Sequence, residues 1–165
     1  MLSGVRLSFP SLWKKATFNG DTTKFEATLL LDKKKHKKVI KKLNAMIDET
    51  KGKHKLKEDR IALKDGDDSE YDGYAGCMSL KAANNTRPTV IDRDRSPLTE
   101  EDGVVYSGCY VNAMVSPWFQ DNSFGKRVNF NLLGVQFVKD GEAFSGGGSS
   151  AEATDFSDIS DDDDF

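Results

Sequence analysis

Two short stretches of the sequence combine aromatic side chains with lysine or arginine. The first contains Trp13, Lys14, Lys15 and Phe18, and the second contains Trp118, Phe119, Phe124, Lys126 and Arg127. Proteins that hold single-stranded nucleic acid without reading its sequence use rings to stack on bases and cations to contact phosphates. Trp13, Trp118 and Phe124 lie in polar or turn contexts. Other rings lie in apolar patterns typical of a core, namely Phe25, Phe130 and Phe137. The two stretches therefore favour nucleic-acid binding.

Other cations in the chain extend this candidate surface. The predicted DNA-binding residues are Trp13, Lys14, Lys15, Phe18, Lys24, Lys33, Lys34, Lys81, Arg87, Arg93, Arg95, Tyr110, Trp118, Phe124, Lys126 and Arg127. Five of the six residues from 33 to 38 are lysines. They lie where a helix is predicted to start, and positive charge there opposes the helix dipole. Helix stability therefore does not explain these lysines. They indicate either contact with phosphates or an ordinary solvated face.

Residues that could carry catalysis are poorly arranged for it. The stretch DGDDSEYDG (65–73) lacks the central glycine and the final glutamate of a calcium loop. In DRDR (92–95) each aspartate is followed by an arginine, and His36 and His54 both lie in lysine-rich stretches. No glycine-rich nucleotide-binding motif occurs in the sequence. We predict no enzymatic activity, no cofactor and no metal site; a metal-dependent nuclease is the weakest alternative.

The elements that would position these residues are mostly strands. Apolar residues alternate from Val5 through Leu7 to Phe9, and again from Phe25 to Leu31, which predicts two strands. They would form a hairpin whose loop carries the first aromatic stretch. Apolar residues at helical spacing within 39–47 then predict one amphipathic helix, with Asp32 as its N-cap.

Three more strands are predicted beyond a polar segment at 51–72. They are GYAGCMSLKAA, VYSGCYVNAMVSPW and KRVNFNLLGVQFV. The last changes phase at Leu133-Gly134, which indicates a bulge that bends the strand. Five strands in the order β-β-α-β-β-β predict a mainly β protein with one helix, namely an OB-fold-like five-stranded barrel with long loops. A split α+β sandwich is the alternative.

The C-terminal twenty residues differ from the rest of the chain. The net charge is −3, yet residues 146–165 contain seven acidic residues and no basic ones, so the remainder is mildly basic. We predict a binding domain at 1–145, followed at 146–165 by a flexible Gly/Ser linker and a disordered acidic tail. Such a tail would span about 25 Å and could occupy a basic groove in place of a polyanion. A merely solubilising tail is the alternative.

Features of other protein classes are absent from the sequence. It contains no apolar run of membrane-spanning length, and its first residues do not form a signal peptide. Cys77 and Cys109 have no metal-binding spacing, so we predict two reduced thiols in or near the core. These observations predict a soluble cytoplasmic protein.

Several segments also resemble a known family. They are RLSFPSLWKKATFNGDTTKFEATLLLDK, the DGD before the third strand, RPTVIDRD, VVYSGCYVNAMV and GVQFVKDGEAFSGG. In this order they resemble the bacteriophage single-stranded DNA-binding protein family, which has an OB fold, over nearly all of residues 4–148. The resemblance implies coating of single-stranded DNA in phage replication or recombination in the host-cell cytoplasm, with dimerisation as a further implication.

The last residues resemble the acidic, Phe-terminated tails of bacterial and phage single-strand binders. Asp161, Asp162, Asp163, Asp164 and Phe165 would form the part that binds replication or recombination proteins. Bacterial tails commonly carry proline where Asp164 stands, so phage-encoded partners are as reasonable as host proteins. The alternative function for the whole chain is a non-enzymatic protein-interaction or assembly module of a phage.

Overall fold

The computed structural model describes residues 1–18 and 20–144, except for the side chain of Phe18. The strands are β1 (Leu2–Ser11), β2 (Thr17–Phe18), β3 (Asp21–Thr22), β4 (Phe25–Asp32), β5 (Leu63–Asp65), β6 (Cys77–Asn84), β7 (Thr89–Ile91), β8 (Tyr110–Asn122) and β9 (Gly125–Lys139). The helix α1 spans Lys37–Lys51, and short 3-10 helices span Glu58–Arg60, Gly66–Asp68 and Glu100–Asp102.

Five of these strands close into a barrel. Antiparallel pairing joins β6 to β4, β4 to β1, β1 to β8 and β8 to β9. Parallel pairing of β9 with β6, at Ala82 opposite Phe130 and Ala83 opposite Asn131, completes the ring. Strands β5 and β7 extend it, while β2 and β3 form a separate hairpin in the β1–β4 loop. The predicted OB-type, mainly β fold with one helix is therefore confirmed.

Alternate residues of the barrel strands fill its interior. Leu7, Leu29, Leu80, Val111 and Leu132 are completely buried, and each comes from a different strand of the barrel. Helix α1 packs against β8 and β9 and adds two buried residues, Leu43 and Ile47. Their spacing of four places both on one helix face. Because strand side chains alternate, fixing this inward set also fixes which residues face outward.

The bulge predicted in the last strand is present. Met114 pairs with Gly134 and Val115 with Leu132, so Leu133 is an extra residue in β9 and is 45% exposed. The phase slip read from the sequence is thus confirmed. A bulge of this kind bends the strand and helps the barrel to close.

A second bulge, in β1, was not predicted. The pairing of β1 with β4 shifts between Ser8 and Ser11, and Phe9 has a φ of 47°, in the left-handed region that residues other than glycine seldom adopt. The expectation that Phe9 continues the row of Val5 and Leu7 is therefore wrong. Ser8 is buried instead, and Phe9 is 37% exposed.

Helix α1 begins five residues later than Asp32. The carboxylate of Asp32 accepts hydrogen bonds from the backbone N–H groups of Lys35 and Lys34, at 3.0 and 2.8 Å, which lower the pKa of Asp32. Asp32 therefore caps the turn at 33–36, and His36 is the residue that precedes the helix. The predicted capping role is real, but it belongs to this turn rather than to α1.

Candidate nucleic-acid interface

An open groove of about 890 Å³ lies between two β surfaces. One wall is the outer face of β4, β5 and β6, and the other is the protruding end of the β8–β9 hairpin, residues 116–130, which we call the arm. We call this space the main groove. Its principal polar and aromatic lining residues are Phe9, Lys24, Glu26, Thr28, Lys64, Tyr71, Tyr74, Ser79, Lys81, Trp118, Gln120, Asn122, Phe124, Arg127 and Asn129.

Strand register places the polar side chains of the sheet wall on one face. Thr28 pairs with Lys81, and Lys64 pairs with Ser79. Their neighbours along the strands, such as Leu29 and Leu80, point into the core. The alternation that builds the barrel interior therefore also exposes a row of lysines on the outside.

The arm wall carries the largest ring in the main groove. Trp118 pairs with Asn129 across the hairpin, and the ammonium of Lys24 lies 5.7 Å from the Trp118 ring centroid. Phe124 lies at the turn that connects the two strands and is 80% exposed. The side-chain amide of Asn129 donates to Gln120 at 2.8 Å. The arm thus presents two aromatic faces beside polar groups that are already paired.

Three further rings form the far end of the main groove. Phe9 and Tyr71 meet edge to face at 4.9 Å, and Tyr71 lies 5.3 Å from Tyr74. The buried Tyr74 donates its hydroxyl hydrogen to Ser8 at 2.9 Å, and burial raises the pKa of this phenol. Tyr71 is 58% exposed, so the pair Phe9 and Tyr71 offers accessible ring surface.

The main groove has a positive electrostatic character. Lys24, Lys64, Lys81 and Arg127 line it, whereas Glu26 is the single carboxylate among the lining residues in the described part of the chain. The Glu26 carboxylate forms an ion pair with the Lys81 ammonium, with Oε2 and Nζ 3.1 Å apart. Three cations therefore remain without a carboxylate partner in the groove, which suits a ligand carrying several negative charges.

Comparison with known proteins decides the family. The family model described as the single-stranded DNA-binding protein of Enterobacter phage Enc34 matches residues 1–165. The chain belongs to this family. The resemblance seen in the sequence segments is thereby confirmed.

Individual members and relatives agree with the family assignment. The chain is 43% identical over 173 residues to protein p50 of Acyrthosiphon pisum secondary endosymbiont phage 1, covering 96% of this chain and 92% of that protein. The solved complex of the bacteriophage Enc34 single-stranded DNA-binding protein with single-stranded DNA shares 34% identity at a TM-score of 0.79, over 86% of each chain. The solved structure of a C-terminal truncation of that Enc34 protein shares 35% identity at a TM-score of 0.77, over 86% of each chain.

In this member of the Enc34 family, the main groove brings together five of the residues singled out in the sequence. They are Lys24, Lys81, Trp118, Phe124 and Arg127. The groove residues that the sequence did not indicate include three rings and one cation, Phe9, Tyr71, Tyr74 and Lys64. The alternation of Val5, Leu7 and Phe9 predicts an inward Phe9 and hides the bulge, and the carboxylates around Tyr71 favour a polar loop. The proline directly after Phe9 was the available signal, since it marks an irregular strand end.

Trp13, Lys14 and Lys15 lie in a different place. They line a smaller pocket of about 280 Å³ together with Glu100. Trp13 is half-buried and packs against the core, and its indole N–H has no hydrogen-bond partner among the described residues. Contact of these three residues with DNA stays a prediction.

Lys33 is engaged in ion pairs away from the main groove. Its ammonium lies 2.7 Å from Asp65 and 2.6 Å from Asp67, and these bonds raise the pKa of Lys33. The same ammonium lowers the pKa of Asp65, and the pKa of Asp67 is lowered by the backbone N–H of Gly76 and then by Lys33. These aspartates, considered above as calcium ligands, hold the loop before β6 against the end of β4.

The remaining predicted residues are dispersed. Tyr110 lies outside the groove, with Lys139 at 4.9 Å and Arg6 at 5.8 Å from its ring. Lys126 contacts His54 beside the arm. The other cations of the predicted set are also exposed: Lys34 in the turn before α1, Arg87 before β7, and Arg93 and Arg95 after β7. The side chain of Phe18 and the tail residues Asp161 to Phe165 lie outside the described residues.

Metal-binding groups and membrane-spanning helices are absent from residues 1–18 and 20–144. No group of His, Cys, Asp and Glu side chains in these ranges is arranged to hold a metal ion. The helix within them is too short and polar to cross a membrane. Cys77 and Cys109 are free thiols, half-buried and buried respectively, and burial raises the pKa of both.

Proposed function

We propose that this protein binds single-stranded DNA in the main groove with little sequence preference. The observation that carries the proposal is a groove with cations along its length and accessible rings at both ends, in a chain that shares 34% identity with a protein solved in complex with single-stranded DNA. Bases stack on rings and phosphates pair with cations. Neither interaction requires a particular base.

The polar groups of the arm also support low sequence preference. The amide of Gln120 donates to Asn122 at 3.2 Å and accepts from Asn129 at 2.8 Å. Reading a base edge requires donors and acceptors that are free to meet it. Because these three side chains bond to one another, rings and cations are the principal groups left for a strand.

Binding is expected to weaken with salt. If each of the four groove cations neutralises one phosphate, the logarithm of the association constant falls with the logarithm of salt concentration at a slope of about −3. Fluorescence anisotropy of labelled oligo-dT at several salt concentrations measures this slope. Salt-independent binding, or equal affinity for duplex DNA, would contradict the proposal. A protein-interaction module would leave the anisotropy unchanged.

We further propose that the acidic tail competes with DNA for the main groove. The position of residue 144 supports this part of the proposal. The Phe144 ring packs over Gly73, and the guanidinium of Arg6 lies 4.0 Å from its centroid. Gly73 is two residues from Tyr71, so the last described residue packs on the loop that carries this groove residue. The expected tail span of about 25 Å is sufficient to enter the groove from there.

Deleting residues 151–165 is expected to tighten oligo-dT binding several-fold at low salt. The deletion removes a tethered polyanion whose effective concentration is on the millimolar scale. The gain should shrink as salt rises, because screening weakens the competitor as well. A full-length variant with Asp161 to Asp164 replaced by asparagine separates charge from chain length. Unchanged affinity for oligo-dT in both variants would show that the acidic tail does not compete with DNA.

The biological role forms the last part of the proposal. DNA that displaces the tail would free Asp161 to Phe165 to recruit replication or recombination proteins. We place this activity in phage DNA replication or recombination in the host-cell cytoplasm, with dimerisation as a further expectation. Binding of a tail peptide to a candidate partner, compared with a peptide that lacks Phe165, tests the recruitment step.

A further inference from the structure

A segment between α1 and β5 carries exposed cations beside the arm. Residues 51–60 contain five basic and two acidic side chains. Lys53, Lys55 and Lys57 are exposed. We call residues 53–60 the basic segment. None of its cations was singled out from the sequence, because the polar stretch at 51–72 gives no aromatic or periodic signal for a site.

The basic segment is held in place by the residues between its lysines. The His54 ring stacks on Phe119 of the arm, with centroids 4.8 Å apart. Leu56 is half-buried and packs against the core. Since every second residue contacts the protein, the alternate lysines are directed to solvent in a short row. The row is therefore a fixed feature of the fold.

Two hydrogen bonds join the basic segment to the main groove. Arg127, which lines the groove, donates to the carbonyl of Asp59 at 3.0 Å. Arg60 donates to the carbonyl of Phe124, at the groove tip, at 3.2 Å. The C-terminal end of the basic segment therefore lies against the arm, at Phe124 and Arg127 of the main groove. The Lys126 ammonium, 3.5 Å from the His54 ring, lies on the same side of the arm.

The lysines of this row lack carboxylate partners. In the described ranges, the lysines within ion-pairing distance of a carboxylate are Lys33, Lys51 and Lys81. Lys53, Lys55 and Lys57 therefore repel one another, and the neighbouring Glu58 and Asp59 offset this repulsion only in part. A bound polyanion would relieve this repulsion.

We propose that a DNA strand leaving the main groove at Phe124 continues along the basic segment, with its phosphates contacting Lys53, Lys55 and Lys57. This inference rests on the proposed function and adds a second, purely electrostatic part to the binding site. Continuity with the groove favours a nucleic-acid strand over a separate acidic protein as the occupant. The strand would be held there by its phosphates, because the segment offers cations and no exposed aromatic ring other than the stacked His54.

The test compares two oligo-dT lengths and two triple variants of the full chain. An oligomer of about 6 nucleotides fills a groove of OB type, and one of about 20 extends beyond it. The variant K53Q/K55Q/K57Q is expected to bind the longer oligomer about tenfold more weakly at low salt, with a salt slope reduced by about 2. Its affinity for the shorter oligomer should equal that of the wild type.

The matched control is K37Q/K38Q/K41Q, which removes the same charge from exposed lysines of α1. Equal loss in both variants would show a general effect of net charge and would overturn the inference. So would an unchanged slope in K53Q/K55Q/K57Q, or tighter DNA binding by it, which would mean that the acidic tail occupies the segment. Failure of the wild type to bind the shorter oligomer would instead refute the proposed function.

Discussion

Replacing Trp118 and Phe124 together by alanine is expected to weaken oligo-dT binding by about 30-fold or more. Each base stacked on an aromatic side chain contributes about 1–3 kcal/mol by alanine substitution, and both rings belong to the arm wall of the main groove. The loss should be nearly independent of salt, because stacking releases no counterions. Anisotropy titrations at two salt concentrations measure both quantities.

Met114→Ala is the control for this pair of substitutions. Met114 lies on β8 like Trp118, is 54% exposed and does not line the groove. Its removal should leave affinity unchanged. Thermal unfolding of the double variant must remain close to that of the wild type, since Phe124 is 80% exposed and Trp118 is half-buried outside the core cluster. A double variant that is folded and binds oligo-dT normally would contradict the assignment of the arm as a stacking surface.

Phe130→Ala is expected to destabilise the protein by about 3–5 kcal/mol, the usual cost of removing a buried phenylalanine. Phe130 is 2% exposed and lies at the parallel pairing that closes the barrel. For a chain of this size, each kcal/mol lowers the melting temperature by about 2–4 °C, so a decrease of roughly 6–20 °C should follow. Differential scanning calorimetry gives the value directly.

Phe124→Ala serves as the comparison for this substitution. Both phenylalanines border the main groove, but the exposed Phe124 should change the melting temperature by less than about 2 °C, as surface substitutions usually do. If Phe130→Ala had the melting temperature of the wild type, the packing of Phe130 at the β6–β9 pairing would not contribute the expected stability. The two rings thus separate a structural role from a binding role within one groove.

The barrel could be predicted from the sequence because its signals are local and repeated. Alternation in five segments gave the strands, and the phase change at Leu133 gave the bulge that bends β9. Closure needs long-range pairing, but few folds accommodate five bent strands and one helix in this order. The fold therefore followed from pattern and order together.

The site could be predicted only in part. Trp118, Phe124 and Arg127 were found because they lie close together in the sequence, on one hairpin. Phe9 and Tyr71 meet through tertiary structure, across more than sixty residues of chain, and composition gives no signal for that contact. The loop at Lys14 combines rings and cations as the arm does, and the loop at Arg93 also carries exposed cations. Only the folded chain shows that neither loop lines the main groove.

The most direct test of the account uses its two tryptophans as separate reporters. In Trp13→Phe, Trp118 is the single source of indole fluorescence, and it lies in the main groove. Saturating this variant with oligo-dT is predicted to quench its emission, with the same midpoint as an anisotropy titration. Emission that stays constant while anisotropy reports full binding would show that the strand lies elsewhere and would contradict the central claim.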